Sequence, residues 1–512
     1  MGFALRTALP PELATEQARV ESLAKHYGLD TYPVIFEVID YNQMNEIAAY
    51  GGFPTRYPHW RFGMEYERLA KSYEYGLSKI YELVINNNPS VAYLLEGNAH
   101  VDQKLVMSHV YAHVDFFKNN FAFSATNQGM TSSGEVIRKW IDTFANHAAL
   151  VRRWSDKLGH EEVERFIDLC LRLENLIDPQ LPFQPDKRRS SDDSADAEVT
   201  NEEPALLPVE RGYMARYINP DSFVEAQRKR MEAEKDKERV FPLAPERDVL
   251  GFLLENAPLE RWEHDILRVI RTEAYYFMPQ MQTKIMNEGW ATYWHSKLMT
   301  DHLCNESDVF EYADKCAGVL VTQPGQLNPY KLGVELYRHI EHRWDHGQFG
   351  REWEDCDDLA ARRAWNTKTG LGREKIFEVR RLYNDLTFID AFLTPEFVEA
   401  QKLYTFGFND RRGRYEVDSR AFAKVKHQLL QALTNGGQPV IDVEDANHGN
   451  RGELRLKHRS DGMDLRMDWA KEVMEALERI WKRPVQLMTA VDGKPYALRY
   501  DGKDHLQTPT KD

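Results

Sequence analysis

A change in the spacing of apolar residues constrains the fold of this chain more than any other feature. From Pro11 to about residue 420 they recur every three or four positions, the period of helices packed on a core. This spacing predicts helices over about 64–85, 102–120, 133–147, 160–176, 246–256, 260–277, 280–302, 330–346 and 372–390. A short apolar stretch at 91–95 reads as a strand, and the Pro-, Gly- and aromatic-rich residues 32–63 as an ordered loop. From about Ala421 the period changes. Residues 421–434 look helical, and 440–443 and 453–458 alternate like strands around a turn at 447–452. An amphipathic helix follows over 468–481, then a strand pair, 485–489 and 496–500, around Asp492-Gly493. The expected fold is mainly α: a large multi-helix N-terminal domain with a small C-terminal α+β domain of order α-β-β-α-β-β. The helical domain takes residues 1–178 and 208–420, and the small domain 421–505. Between the two helical parts, residues 179–207 are rich in Pro, Ser and Asp and read as a flexible insertion. Residues 221–239 are dense in charge and read as an exposed helix.

Bulk properties narrow the function. A chain of 512 residues exceeds what one core supports, so two to four domains are expected. The net charge of −15 argues against a nucleic-acid groove as the main surface, because phosphate binding needs a basic stripe. No run approaches the ~18 apolar residues of a membrane span. Cys170, Cys304, Cys316 and Cys356 include no C-x-x-C pair, which disfavours a disulfide framework or a thiolate zinc site and fits a reducing, cytoplasmic compartment. No P-loop, no G-x-G-x-x-G after a strand and no G-x-S-x-G occurs, so nucleotide and serine-hydrolase chemistry have no motif to rest on.

Three helical stretches aim ionisable groups at an interior. On a helix over 102–117, His109 and His113 fall within about 20° of Asp102 on the face shared with Leu105, Val106, Phe116 and Phe117. Two imidazoles at i and i+4 can reach one metal ion, and Asp102 could orient a ring. Over 280–302, Glu288 and His295 share the apolar face with Met281 and Met299, and Glu273 lies in the stripe of Ile266, Ile270 and Phe277. Buried Glu and His are costly unless paired, hydrogen-bonded or metal-bound. His109, His113 and Glu288 are therefore expected to bind a divalent metal, zinc before iron or manganese given the N/O donors. His295 is a fourth ligand or a nearby acid/base, and Glu273 or Glu96 the general base. The competing reading makes both histidines hydrogen-bonded core residues and pairs Glu288 with an arginine.

Other clusters are weaker. Glu335, His339, His342 and His346 share one helical face, where a solvated polar surface is the simpler account. Arg56, His59 and Arg61 stand in an aromatic loop suited either to holding a substrate carboxylate or to plain packing. The turn at 445–452 is explained by its own hairpin.

Four long strings resemble the stage V sporulation protein R family: A-A-Y-G-G-F-P-T-R-Y-P-H-W-R-F-G-M-E-Y-E with S-H-V-Y-A-H-V-D-F-F-K-N-N in 47–120, M-N-E-G-W-A-T-Y-W-H-S-K at 286–297, N-P-Y-K-L-G at 328–333 and G-Q-P-V-I-D-V-E-D-A-N-H-G-N-R-G-E-L-R-L at 437–456. The resemblance implies a cytoplasmic protein, linked in spore formers to spore cortex assembly, with a serine protein kinase and a further protein as neighbours. It brings no agreed reaction. E-G-W-A after H-x-x-x-H is also similar to helical zinc peptidases in which a later glutamate is the third ligand, but Val110 stands where H-E-x-x-H carries its base. Two functions are expected. One is a metal-dependent hydrolase of an amide or peptide bond, acting on a peptide or cell-wall precursor. The other is a non-catalytic regulator or scaffold working with a kinase, for which the charged helix and the Ser-rich insertion would serve docking and phosphorylation.

Overall fold

The computed structural model describes residues 9–74, 83–127, 139–184, 220, 224–225, 240–322, 325–409, 411–461 and 463–510. Most of the insertion expected at 179–207 and the charged helix expected at 221–239 lie outside the described residues. The chain forms two compact units, each made from two stretches: Met1–Arg165 with Thr272–Gln438, and Phe166–Arg271 with Pro439–Asp512. The fold is mainly α with a small C-terminal α+β part, as the change of period implies.

The first unit contains α1 (Pro11–His26), a three-stranded sheet, and a set of helices. The sheet has β1 (Val34–Ile39), β2 (Leu83–Ile85) and β3 (Ser90–Leu95) in the order β1-β3-β2, with β1 parallel and β2 antiparallel to β3. Every residue of β3 is buried, so it reads as an unbroken apolar run without alternation. The 32–63 segment is not a loop throughout. Pro33 and Asp40 bracket β1, and Asp40 caps the following helix Tyr41–Ala49 through a capping box with Gln43. A Pro- and Gly-rich stretch farther along hid this short strand.

Helix α2 (His100–Asn119) leaves β3 and runs through the core, buried from Val101 to Phe117 except at Leu105. It packs against α1, α5 (Lys284–Leu298) and α7 (Gly372–Leu382), and the unit also holds α3 (Trp140–Leu158), the C-terminal half of α4 (Arg261–Gln282), α6 (Pro329–Asp345) and α8 (Asp385–Phe392). The helix expected over 372–390 is two helices because Asn384 caps α8 with a capping box to Thr387. The helix expected over 280–302 begins anew at Thr283 and ends in a π turn, Met299–Leu303. A hairpin of β4 (Thr405–Asn409) and β5 (Arg414–Ser419) leads into α9 (Phe422–Leu433). Sequence periodicity groups α9 with the C-terminal module. In the structure Val425, Leu429, Leu430 and Leu433 join the core of the first unit.

In the second unit, β6 (Val440–His448), β7 (Glu453–Arg459), β8 (Val485–Val491), β9 (Lys494–Tyr500) and β10 (His505–Pro509) form a sheet of order β10-β9-β8-β7-β6. Only β7 and β8 pair in parallel, and α10 (Met467–Trp481) makes the crossover between them, burying Ala470, Met474, Leu477 and Ile480. Among the described residues no helix is long and apolar enough to cross a membrane.

Two contacts fix α5, the helix that carries Glu288. Asp385, the first residue of α8, accepts N–H bonds from Ile285 (2.8 Å) and Met286 (2.9 Å) in the first turn of α5. Burial pushes this carboxyl up to about 7 against the pull of those two donors and of Lys284. At its middle, α5 crosses α6 glycine on glycine. A Cβ at Gly289 would fall inside the Gly333 backbone, and one at Gly333 would strike the Ile285 carbonyl. Gly289→Ala is expected to lower the stability of the first unit by about 1–3 kcal/mol. The control Gly63→Ala, on an exposed helix with open space around it, is expected to be neutral or stabilising. Thermal unfolding of the two variants checks this, and equal midpoints would refute it.

Candidate metal centre

The centre is assembled from α2 and α5. His109 and His113 stand one turn apart on α2, with ring centroids 4.5 Å from each other. Glu288 comes from the second turn of α5. All three side chains are buried, and one donor atom of each lies within 4.8 Å of the others. Glu288 Oε2 sits 3.6 Å from His109 Nε2 and 3.6 Å from His113 Nε2. Donors about 2.0–2.2 Å from a tetrahedral zinc are separated from one another by about 3.4 Å. The observed spacing therefore matches the edge of a coordination tetrahedron and exceeds the length of a direct hydrogen bond.

Neighbouring groups set which atoms face the centre. His113 Nδ1 lies 2.8 Å from Asn287 Oδ1. An amide oxygen only accepts, so His113 carries its proton on Nδ1 and turns the Nε2 lone pair inward. His109 Nδ1 lies 2.8 Å from His295 Nδ1, so a donating His109 likewise presents Nε2. Lys284 Nζ holds the other Glu288 oxygen, Oε1, at 3.1 Å. Burial acts to raise the Glu288 pKa, but the adjoining His109 and His113, when protonated, together with Lys284 outweigh it and hold the carboxyl well below the usual carboxylate range. The carboxylate is thus ionised over the whole physiological range, as a metal ligand needs.

His295 lies behind His109 rather than among the three converging donors. Glu273 is engaged in a different cluster: Oε2 receives Arg56 Nη2 at 2.6 Å and Oε1 faces His147 Nδ1 at 3.0 Å. Arg56 is buried beside this carboxylate and lies over the rings of Tyr57, Phe62 and Phe144. The pair neutralises itself, which is the packing alternative open to this loop. His59 is buried in the same loop and accepts the backbone N–H of Arg61 at 3.2 Å, while the Arg61 side chain is exposed. Asp102 pairs with Lys315 and orients no ring. On α6, Glu335 pairs with Arg338, His339 packs on Phe397, and His342 stacks on His346 at 4.0 Å. Among the described residues, His109, His113 and Glu288 are the metal-competent group. The parts played by Asn287 and Lys284 do not follow from helical periodicity. Lys284 and Glu288 do have the i, i+4 spacing of a helical ion pair, but a lone asparagine gives no signal of what its amide faces.

The geometry falls within the parts of the chain that comparisons with known proteins cover. Residues 8–438 match the family model described as SpoVR like protein, and residues 439–492 match the SpoVR-like C-terminal domain. The boundary between the two matches coincides with the step from Gln438 to Pro439 between the compact units. The chain is 29% identical over 508 residues, 92% of its own length and 90% of the relative's, to a protein of Escherichia coli (strain K12) described as uncharacterized protein YcgB. No solved structure matches. The two matches together span nearly the whole sequence, and the chain belongs to the SpoVR-like protein family.

Proposed function

We propose that this chain is a metal-dependent hydrolase of an amide or peptide bond, with a divalent ion, zinc by preference, held by His109, His113 and Glu288. One observation carries the reading: three buried donor atoms from two helices converge at ligand spacing. The N2O donor set favours zinc over the hard, oxygen-preferring cations. Three protein ligands are also the number found in catalytic zinc sites, where the fourth position stays open, whereas structural sites use four. A bound zinc would supply a Lewis acid and an acidified water. The chain's own groups do the positioning. Asn287 fixes the His113 tautomer, and His295 Nδ1 lies where it can accept from His109 Nδ1. Lys284 keeps one Glu288 oxygen, so that the carboxylate faces the centre through the other.

Of the two acid/base candidates, His295 fits a positioning role, and Glu273 is held by Arg56 and His147. A peptide or cell-wall precursor fits a cytoplasmic enzyme, and four free cysteines fit a reducing compartment. The regulator reading, with a serine protein kinase partner, draws on segments outside the described residues.

Purified protein is expected to carry about one equivalent of zinc, and His109→Ala with His113→Ala to carry none. Elemental analysis of protein prepared without chelators decides this, and metal-free wild type that also fails to take up zinc or cobalt removes the reading. Asn287→Leu is expected to weaken zinc about 10- to 100-fold, while Asn287→Asp, which still accepts the Nδ1 proton, retains affinity. Competition with a chromophoric chelator measures both. Hydrolysis of short cell-wall precursor peptides is expected to stop on chelation and return with zinc; activity that survives full metal removal would contradict the proposal.

A further inference from the structure

A second feature of the first unit lies apart from the metal centre in its lining. A cleft of about 440 Å³ opens between the start of α6, the α9 helix and the β4–β5 hairpin. That size is within the range of small-molecule sites, about 300–1,000 Å³. Its body is apolar: Leu332, Leu403, Val425 and Leu429 line it, and Leu327 and Tyr415 face it while 44% and 53% exposed. Large apolar side chains left open on the walls of a concavity are what an apolar ligand covers.

Charge sets the second requirement. The chain holds 81 acidic against 66 basic residues, yet among the described residues no Asp or Glu lines the cleft. Two cations do, Lys331 and Lys402, and neither has a carboxylate partner among the described residues. Their positions are built by the local backbone. Lys331 sits in the first turn of α6, where Asn328 accepts its N–H and the helix end adds partial positive charge. Lys402 takes a left-handed φ of 53° just after the helix Pro395–Ala400, and the Leu403 N–H closes that turn onto the Val398 carbonyl at 3.0 Å.

From the cleft's size, its apolar walls and its two lining lysines without a carboxylate partner among the described residues, we propose that it is a binding site for a small amphipathic anion: a carboxylate or phosphate ester on an apolar body. The apolar part lies against Val425 and Leu429, and the anionic head meets Lys331 and Lys402. The site is independent of the metal reading and stands whether or not His109 and His113 hold an ion.

Calorimetric titration of the full chain with decanoate, decyl phosphate and decanol tests this. Chelator is present so that no metal-bound anion contributes. Expected are saturable binding of at least one anion at one per chain and much weaker binding of decanol. The two anions separate a carboxylate from a phosphate preference. Lys331→Gln with Lys402→Gln is expected to weaken the anion roughly tenfold or more and leave decanol unchanged. Leu429→Trp, with helix content checked by circular dichroism, is expected to block all three probes. The proposal is overturned if neither anion binds saturably, if decanol binds as well as the anions, or if the double lysine variant binds them like wild type.

Discussion

Burying polar groups along a helix that crosses a core is the constraint on which the first unit depends. α2 carries Asp102, Gln103, Lys104, Ser108, His109, His113 and Asp115 into the interior, and an unpartnered group there costs a few kcal/mol or more. The surrounding elements are placed to answer them. Lys315 meets Asp102, the Leu95 carbonyl meets Gln103, and Asp308 meets Lys104. Trp290 Nε1 and the Asp30 N–H meet Asp115, whose carboxyl burial pushes up to about 6 against the pull of Arg380 and those two donors. The two histidines are answered differently. Each satisfies one nitrogen with a neutral partner and turns the other toward a carboxylate that stands too far off for a direct hydrogen bond.

Much of this was legible in the residues. The i, i+4 histidines on an apolar face and the inward glutamate at 288 follow from 100° per residue, and the structure brings those three together. The change of period near residue 421 announced the sheet of the second unit. What was not legible depends on distance in sequence. Nothing local to Glu273 says that Arg56, more than two hundred residues earlier, takes its charge. Nothing local to Asp385 says that it caps a helix a hundred residues before it. Strand β1 is hidden in the sequence because its brackets, a proline and an aspartate, adjoin a longer stretch dense in turn formers. Periodicity groups helix α9 with its neighbours in sequence because an amphipathic face does not say which core it covers.

The electrostatics of the centre and of the cleft are opposite in kind. At the centre a carboxylate is held ionised by imidazoles and a lysine in a buried setting, which suits a cation. In the cleft two lysines join apolar residues in the lining, with no acid among the described lining residues, which suits an anion. One unit of an acidic chain thereby carries both signs in separate, shaped places, and overall net charge predicts neither.

The first unit is discontinuous: Phe166–Arg271 intervene between its two stretches. Its central helix is synthesised well before the helix that packs against it. At a ribosomal pace of about 5–20 residues per second, α2 waits roughly ten seconds or more for α5 to emerge. During that interval β3, α2 and their buried ionisable groups have no Trp290, Asn287 or Glu288 to meet. Closing so long a loop slows folding more than it weakens the finished structure. A nascent chain of this design leaves a helix destined for the core exposed while the first stretch of the second unit is being made, which is the circumstance in which chaperones are recruited.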